Sequence, residues 1–261
     1  MTTSAPILVT GGTGTLGRAV VRALTARGGD IRVLSRSGAA GTVLGDLATG
    51  EGLEAALDGV GAVLHLATTL RDDTEITRTL VDAAERTGAP RLLFQSIVGI
   101  DRIPLGYYHG KLGAERIVEE SSLPWTILRA TQFHDLIATF FRMQRFSPAV
   151  FAPAFSLQPI AVEDVARRWV ELLDADAAGR APDIGGPETR TGRDLAGAFL
   201  AARGSRRPTL PLRLPGRTYA AYAAGANLVP GEPFGRITFA EFLASHDDGR
   251  AAHDARGRTD A

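Results

Sequence analysis

Short apolar, β-branched runs alternate with amphipathic stretches from the beginning of the chain. Ile7-Leu8-Val9 reads as a buried strand, the stretch from about Thr15 to Arg27 as a helix, and Ile31-Arg32-Val33-Leu34 as a second strand, together a βαβ unit. The rhythm continues with a strand at Thr42-Val43-Leu44, a helix at Leu53–Leu57, a strand at Val63-Leu64-His65-Leu66 and a helix from about Thr74 to Thr87. Strands at Leu92-Leu93-Phe94 and Trp125-Thr126-Ile127-Leu128 follow, with a helix from about Tyr107 to Ser121 between them. Strands repeatedly followed by helices require right-handed crossovers, and these generate a parallel sheet covered on both faces. The expected fold is therefore α/β, a Rossmann-type doubly wound parallel sheet.

Past Gln132 the rhythm loosens. The pattern predicts a helix near Phe133–Arg145, an aromatic and proline-rich loop over Phe146–Pro159, and a helix near Val162–Leu173. A turn at Gly185-Gly186-Pro187, a helix near Thr191–Ala202 and proline-punctuated segments to Pro233 follow. Residues 1–131 are read as a dinucleotide-binding core, and 132–244 as a smaller C-terminal substrate-facing lobe with elements returning to the core. The polar stretch 245–261 is read as a tail without fixed structure. Within the lobe, Phe133, Phe151 and Phe155 are candidates for an apolar lid over a flat or hydrophobic substrate.

Composition narrows the partners. Positive and negative side chains balance at 29 each in 261 residues, so no global field recruits nucleic acid or an anionic membrane. A small molecule held in a pocket is the expected partner. No cysteine occurs, which excludes disulfides, thiol nucleophiles and cysteine-ligated metals. The five histidines are scattered without ligand spacing, and no metal is expected. A secretory signal and an apolar run long enough to span a bilayer are both missing, and a cytoplasmic location is the expectation.

The first strand runs directly into Gly11-Gly12-Thr13-Gly14-Thr15-Leu16-Gly17 and then into a helix. A chain that must turn sharply, approach a pyrophosphate and enter a helix with its N–H groups facing the phosphates favours residues without Cβ at Gly11, Gly14 and Gly17. Thr13, Thr15 and Leu16 fall within the same cofactor-binding turn. The residue at the end of the second strand selects the cofactor: a carboxylate there suits the ribose 2′-hydroxyl of NAD, a guanidinium the 2′-phosphate of NADP. The stretch reads Leu34-Ser35-Arg36-Ser37, with Arg18 as a possible second contact, and NADPH (NADP+) is the expected cofactor.

Among the 29 basic residues only Lys111 is a lysine, and Tyr107 precedes it by four positions, so on a helix the two share a face. An ammonium beside a phenol stabilises tyrosinate and lowers the phenol pKa, which suits proton transfer at a carbonyl during hydride transfer. Ser96, at the carboxyl edge of its strand, is a candidate ligand for the substrate oxygen.

These residues resemble the short-chain dehydrogenase/reductase superfamily, in particular its atypical, NmrA-like branch, over roughly residues 6–190. The resemblance rests on the glycine turn, Gly45-Asp46-Leu47, His65-Leu66-Ala67, Ser96, the Tyr107–Lys111 pair, Pro124-Trp125-Thr126-Ile127-Leu128-Arg129 and Gly185-Gly186-Pro187-Glu188. It implies that Asp46, Leu47 and Ala67 contact the cofactor and that Lys111 also reaches the nicotinamide ribose. The activity it implies is NADPH-dependent reduction of a carbonyl or quinone-type molecule, with Tyr107 as proton donor assisted by Lys111 and Ser96. Two other readings remain open: a non-catalytic NADP(H) sensor that regulates another protein, and a sugar-nucleotide epimerase or dehydratase. The latter calls for a larger C-terminal lobe than this chain has.

Overall fold

The computed structural model describes residues 5–69, 72–88, 90–177 and 179–245. In chain order the elements are β1 (Ile7–Thr10), α1 (Thr15–Ala26), β2 (Ile31–Ser35), β3 (Val43–Leu44), α2 (Leu53–Leu57), β4 (Ala62–His65), α3 (Asp73–Arg86), β5 (Arg91–Ile97), α4 (Gly106–Glu120) and β6 (Trp125–Ala130). There follow α5 (His134–Met143), β7 (Val150–Pro153), β8 (Ser156–Leu157), α6 (Val162–Asp174), β9 (Gly179–Arg180), β10 (Arg190–Thr191), α7 (Gly192–Ala202), β11 (Thr209–Leu212) and α8 (Arg217–Ala223). Two compact units result, one of residues up to Ala130 with Val165–Asp183, the other of Thr131–Asp164 with the residues from Ile184 onward.

The first unit is a seven-stranded sheet in the order β3-β2-β1-β4-β5-β6-β9, parallel throughout. This is the Rossmann-type arrangement. Its central strands are covered on both faces, which is why Leu8, Val9, Val63, Leu64, Leu92, Leu93 and Phe94 form apolar runs without alternation and are all fully buried. Each such side chain contributes roughly 1.5–3 kcal/mol. Successive strands β1, β2 and β3 step outward on one side of β1, and β4, β5 and β6 on the other. The chain therefore reverses at β1, and a crevice opens at the carboxyl ends of β1 and β4, where Thr10 lies opposite His65. Trp169 of α6 is fully buried and donates from its indole to Gln95 Oε1 at 2.8 Å. The Arg91 guanidinium binds Leu172 O in the last turn of the same helix at 2.9 Å and Asp176 O just past its end at 3.0 Å, satisfying groups that a helix end leaves open.

In the second unit Ile137, Phe141, Leu195, Phe199, Phe239 and Phe242 form the core. Here the structure departs from the expected loops: the 146–159 stretch holds β7 and β8, and the proline-punctuated stretch holds β11 and α8. β7 pairs in parallel with β11, and β8 pairs antiparallel with β10. These are two-stranded ribbons with open edges, and an open edge tolerates a proline such as Pro211 that a central strand rejects. The Gln144 side chain bonds both Phe151 N (2.8 Å) and Phe151 O (3.1 Å), supplying from a side chain part of the pairing that β7 lacks. Apart from Ser245, the stretch expected as a tail lies outside the described residues.

Candidate functional site

The glycine turn is built on close backbone approach. Gly11 has φ +68°, and a Cβ there would lie 2.6 Å from Ala67 N. A Cβ at Gly17 would collide with the Gly11 carbonyl and lie 2.6 Å from Gly12 Cα. Gly14 caps the N-terminus of α1 with no side-chain hydrogen bond, and the first turn of the helix carries no acidic residue. The positive end of α1 is thereby left for an exogenous anion.

A 650 Å³ cavity opens over this turn. Gly11, Thr13, Gly14, Arg36, Asp46, Leu47 and Ala67 all line it, together with Leu34, Ser35, Ser37 and, from the segment after β4, Thr68 and Thr69. Leu16 and Gly17 are instead buried beneath the turn, and Thr15 is exposed on α1. Asp46 Oδ1 accepts Ala48 N at 2.8 Å, so this carboxylate shapes its own loop. Arg18 donates to Thr13 O at 2.5 Å, whereas Ser35-Arg36-Ser37 brings a guanidinium and two hydroxyls to the cavity wall with no carboxylate among them. A glycine cradle, an open helix terminus and this basic and hydroxylic wall fit a phosphorylated dinucleotide.

The second cluster stands on α4. Thr74, in the first turn of α3, donates to Gly110 O at 2.9 Å, and a Cβ at Gly113 would sit 2.6 Å from Thr74 Oγ1. The two helices can therefore approach closely enough to bring Tyr107 and Lys111 to Asp73. Lys111 is 3% exposed, its ammonium 3.4 Å from Asp73 Oδ2 and 4.7 Å from the centre of the Phe94 ring. Asp73, 2% exposed, also accepts Thr68 Oγ1 at 2.8 Å and Thr69 N at 2.5 Å. Tyr107 OH is 2.7 Å from Thr68 Oγ1. A hydroxyl carries one proton, and with that of Thr68 given to a carboxylate its oxygen is an acceptor toward Tyr107.

The electrostatics differ from the expectation of a phenol acidified by lysine. Burial pushes Tyr107 up from its ordinary value and the Asp73 carboxylate adds to this, opposed by the Thr68 contact. The Lys111 ammonium is itself paired with Asp73. Burial pulls the ammonium down from its ordinary value, while Asp73 and Glu115 support its charge. His65 lies beside it, fully buried between Thr10 Oγ1 (2.6 Å) and Thr77 Oγ1 (3.1 Å). Desolvation, with the Lys111 charge second, lowers this imidazole to about 3 and keeps it neutral.

Behind Lys111, Arg129 of β6 grips Glu115 through Nε (2.7 Å) and Nη2 (2.5 Å) and Asp101 through Nη1 (2.9 Å). Burial works against the Arg129 charge, but the two carboxylates outweigh it and push the guanidinium up. This network ties α4 to the sheet. Ser96 on β5 is 1% exposed, and its Oγ has no hydrogen-bond partner, so it is not bonded to Tyr107. A buried hydroxyl without a protein partner costs about 1–3 kcal/mol.

The three phenylalanines lie in the second unit. Phe155 lines a 310 Å³ pocket and stacks on Tyr222 at 4.9 Å, whereas Phe151 on β7 is 42% exposed and Phe133 precedes α5; neither lines that pocket. His134 bonds Ile237 O at 2.9 Å and packs against Phe239 and Phe242, a structural role. Sequence reasoning passed over Thr68 and Asp73. The available signal was an aspartate at the start of a helix, five residues after a threonine at a strand end, which reads equally as ordinary helix capping. Among the described residues no cluster of three or more potential metal ligands occurs, and no helix is long and apolar enough to cross a membrane.

The chain is 27% identical over 213 residues to an NAD(P)H azoreductase from Xenophilus azovorans, covering 76% of this chain and 74% of that protein. Its fold is similar to an NADPH-dependent quinone oxidoreductase from Escherichia coli crystallised with NADPH (TM-score 0.78, 18% identity, 92% and 99% of the two chains). It is equally similar to a nucleoside-diphosphate-sugar epimerase from Staphylococcus aureus (TM-score 0.78, 18% identity, 91% and 99%), so the architecture is common to different chemistries. The model of the NAD(P)H-binding family matches residues 11–176, the span that holds the glycine turn, the cavity and the Tyr107 cluster, and the chain belongs to that family.

Proposed function

We propose that the protein is an NADPH-dependent reductase of a carbonyl or quinone-type small molecule, with Tyr107 as proton donor. The observation that carries this reading is the state of the Tyr107 hydroxyl. It faces an oxygen whose own proton is committed to Asp73, at a threonine that also lines the dinucleotide cavity. A phenol held protonated in that way is suited to giving a proton. NADPH, when bound, supplies a hydride, and hydride plus proton complete the reduction of a C=O group to an alcohol. Gly11, Gly14 and the N-terminus of α1 hold the diphosphate, and Arg36 with Ser35 and Ser37 favours the 2′-phosphate over a free hydroxyl. The unpartnered Ser96 hydroxyl is available to hold the acceptor oxygen, and Lys111 supports the charge balance around the phenol. The azoreductase relative widens the acceptors worth testing to conjugated azo compounds.

Net NADPH oxidation across a panel of quinones, ketones and azo compounds tests the activity. A sensor gives none, and an epimerase transforms a sugar nucleotide without net consumption. Tyr107→Phe lowers kcat by about 100-fold or more, with the NADPH dissociation constant unchanged in a fluorescence titration. Undiminished turnover in that variant removes Tyr107 from the chemistry.

A further inference from the structure

We propose that Asp73 is a positioning residue that aims the Tyr107 hydroxyl through Thr68 and by its own negative charge disfavours tyrosinate, so that the site is built to donate a proton. The inference rests on the reductase reading for its purpose, but its physical content stands on the apo protein. Asp73 is the hub of the cluster: Oδ1 accepts Thr69 N, and Oδ2 accepts the Thr68 hydroxyl beside the Lys111 ammonium. The backbone contact from Thr69 fixes the carboxylate to the segment that forms the cavity wall. Thr68, on the same wall, donates to Asp73, and with its one proton so used its oxygen accepts from Tyr107 OH 2.7 Å away. Carboxylate and phenol thus share one hydroxyl as an intermediary, and the proton order along Tyr107, Thr68 and Asp73 is fixed by the carboxylate, which can only accept.

The charges around the phenol come from every neighbouring element. Asp73 is on α3, Lys111 and Glu115 on α4, and neutral His65 on β4; Arg129 on β6 and Asp101 in the loop after β5 are committed to one another and, through Arg129, to Glu115. Lys111 and Asp73 compensate each other, and Glu115 and Arg129 do the same. Without Asp73 the balance tips toward positive charge, and tyrosinate becomes easier to form. This differs from an arrangement in which lysine alone sets the tyrosine: here the lysine is held by a carboxylate that favours the neutral phenol.

The test is an ultraviolet absorbance titration of tyrosinate, in which wild type minus Tyr107→Phe isolates Tyr107 without reference to turnover. The wild-type midpoint lies above the ordinary tyrosine value of about 10. In Asp73→Asn, referenced to Asp73→Asn/Tyr107→Phe, it falls by about one unit or more. A wild-type midpoint below the ordinary value overturns the inference, as does a midpoint that Asp73→Asn leaves unmoved. Should Asp73→Asn fail to fold, Thr68→Val breaks the bridge and leaves the ion pair: kcat falls about tenfold and Thr68→Ser restores it. Wild-type kcat in Thr68→Val also overturns the inference. If Tyr107→Phe remains fully active, the reductase assignment of Tyr107 falls while the titration still decides what Asp73 does to the phenol. If Tyr107→Phe is inactive and the midpoint unmoved, only the role of Asp73 falls.

Discussion

The glycine turn and the Tyr107 cluster lie in the same unit, and both contribute to the crevice side of the sheet, yet they are specified in different ways. The turn is held by steric demands within seven successive residues plus one backbone contact, Gly11 against Ala67. The cluster is held by polar partners drawn from separate elements: Thr68 after β4, Asp73 on α3, Tyr107 and Lys111 on α4. A steric device fails when one atom is added. A polar device fails when one partner is lost or one proton is moved. The comparison predicts mutational and pH responses of different kinds.

The largest effect expected is steric. Gly17→Ala places a Cβ against the Gly11 carbonyl and Gly12 Cα, backbone atoms that no rotamer change can relieve, and lowers stability by about 3 kcal/mol in urea unfolding. Gly14→Ala meets only the Gly11 carbonyl at 3.2 Å and costs much less. Equal stability of the two variants breaks the steric half of the comparison.

Next in size is a proton effect on the polar half. His65 is neutral in the fold with a pKa of about 3, against 6.5 in the unfolded chain. Below 6.5 the unfolded chain takes up a proton that the folded one refuses, so stability is fully present above that value and is lost as pH falls toward 3. Between about pH 7 and pH 5 this single group removes roughly 2 kcal/mol. His65→Gln, which retains polar atoms to face Thr10 and Thr77, makes the urea-unfolding stability flatter over that range by the same amount. An unchanged slope shows that His65 does not titrate as its burial requires.

The difference between the two regions also explains what could be read from the chain. Apolar periodicity located the elements of the first unit, the short edge strand β9 excepted, to within a few residues, because a buried parallel strand and a two-faced helix write their environment into every position. The glycine turn was legible for the same reason: its constraint is local. Asp73 was not. The helix was expected to start at Thr74, and an acidic residue at a helix N-terminus is favourable whatever it touches. Only the packing of α3 on α4, made possible by Gly113 and the Thr74 bond to Gly110, turns it into the partner of Lys111. The direction of the Tyr107 shift was misread because the ammonium was counted, while the burial of the phenol and the Asp73 carboxylate were not. Strands β7, β8, β9, β10 and β11 escaped because each has four residues or fewer, and β7 and β11 contain prolines.

The smallest effect falls where the two modes of specification meet. Arg36 sits on the wall of a cavity shaped by the glycine turn but acts through charge, and its side chain is exposed. Exposure screens the guanidinium, so its contribution to a bound 2′-phosphate is modest: Arg36→Ser weakens NADPH about tenfold. NADH presents a hydroxyl at that position and has no such charge to lose, so its affinity is unchanged. Titrating both cofactors at two salt concentrations separates the terms, because screening weakens the NADPH contact in the wild type and leaves that of the variant less affected. Equal losses for both cofactors would mean that Arg36 supports the shape of the cavity, and that selection between the nucleotides belongs to the Ser35 and Ser37 hydroxyls on either side of it.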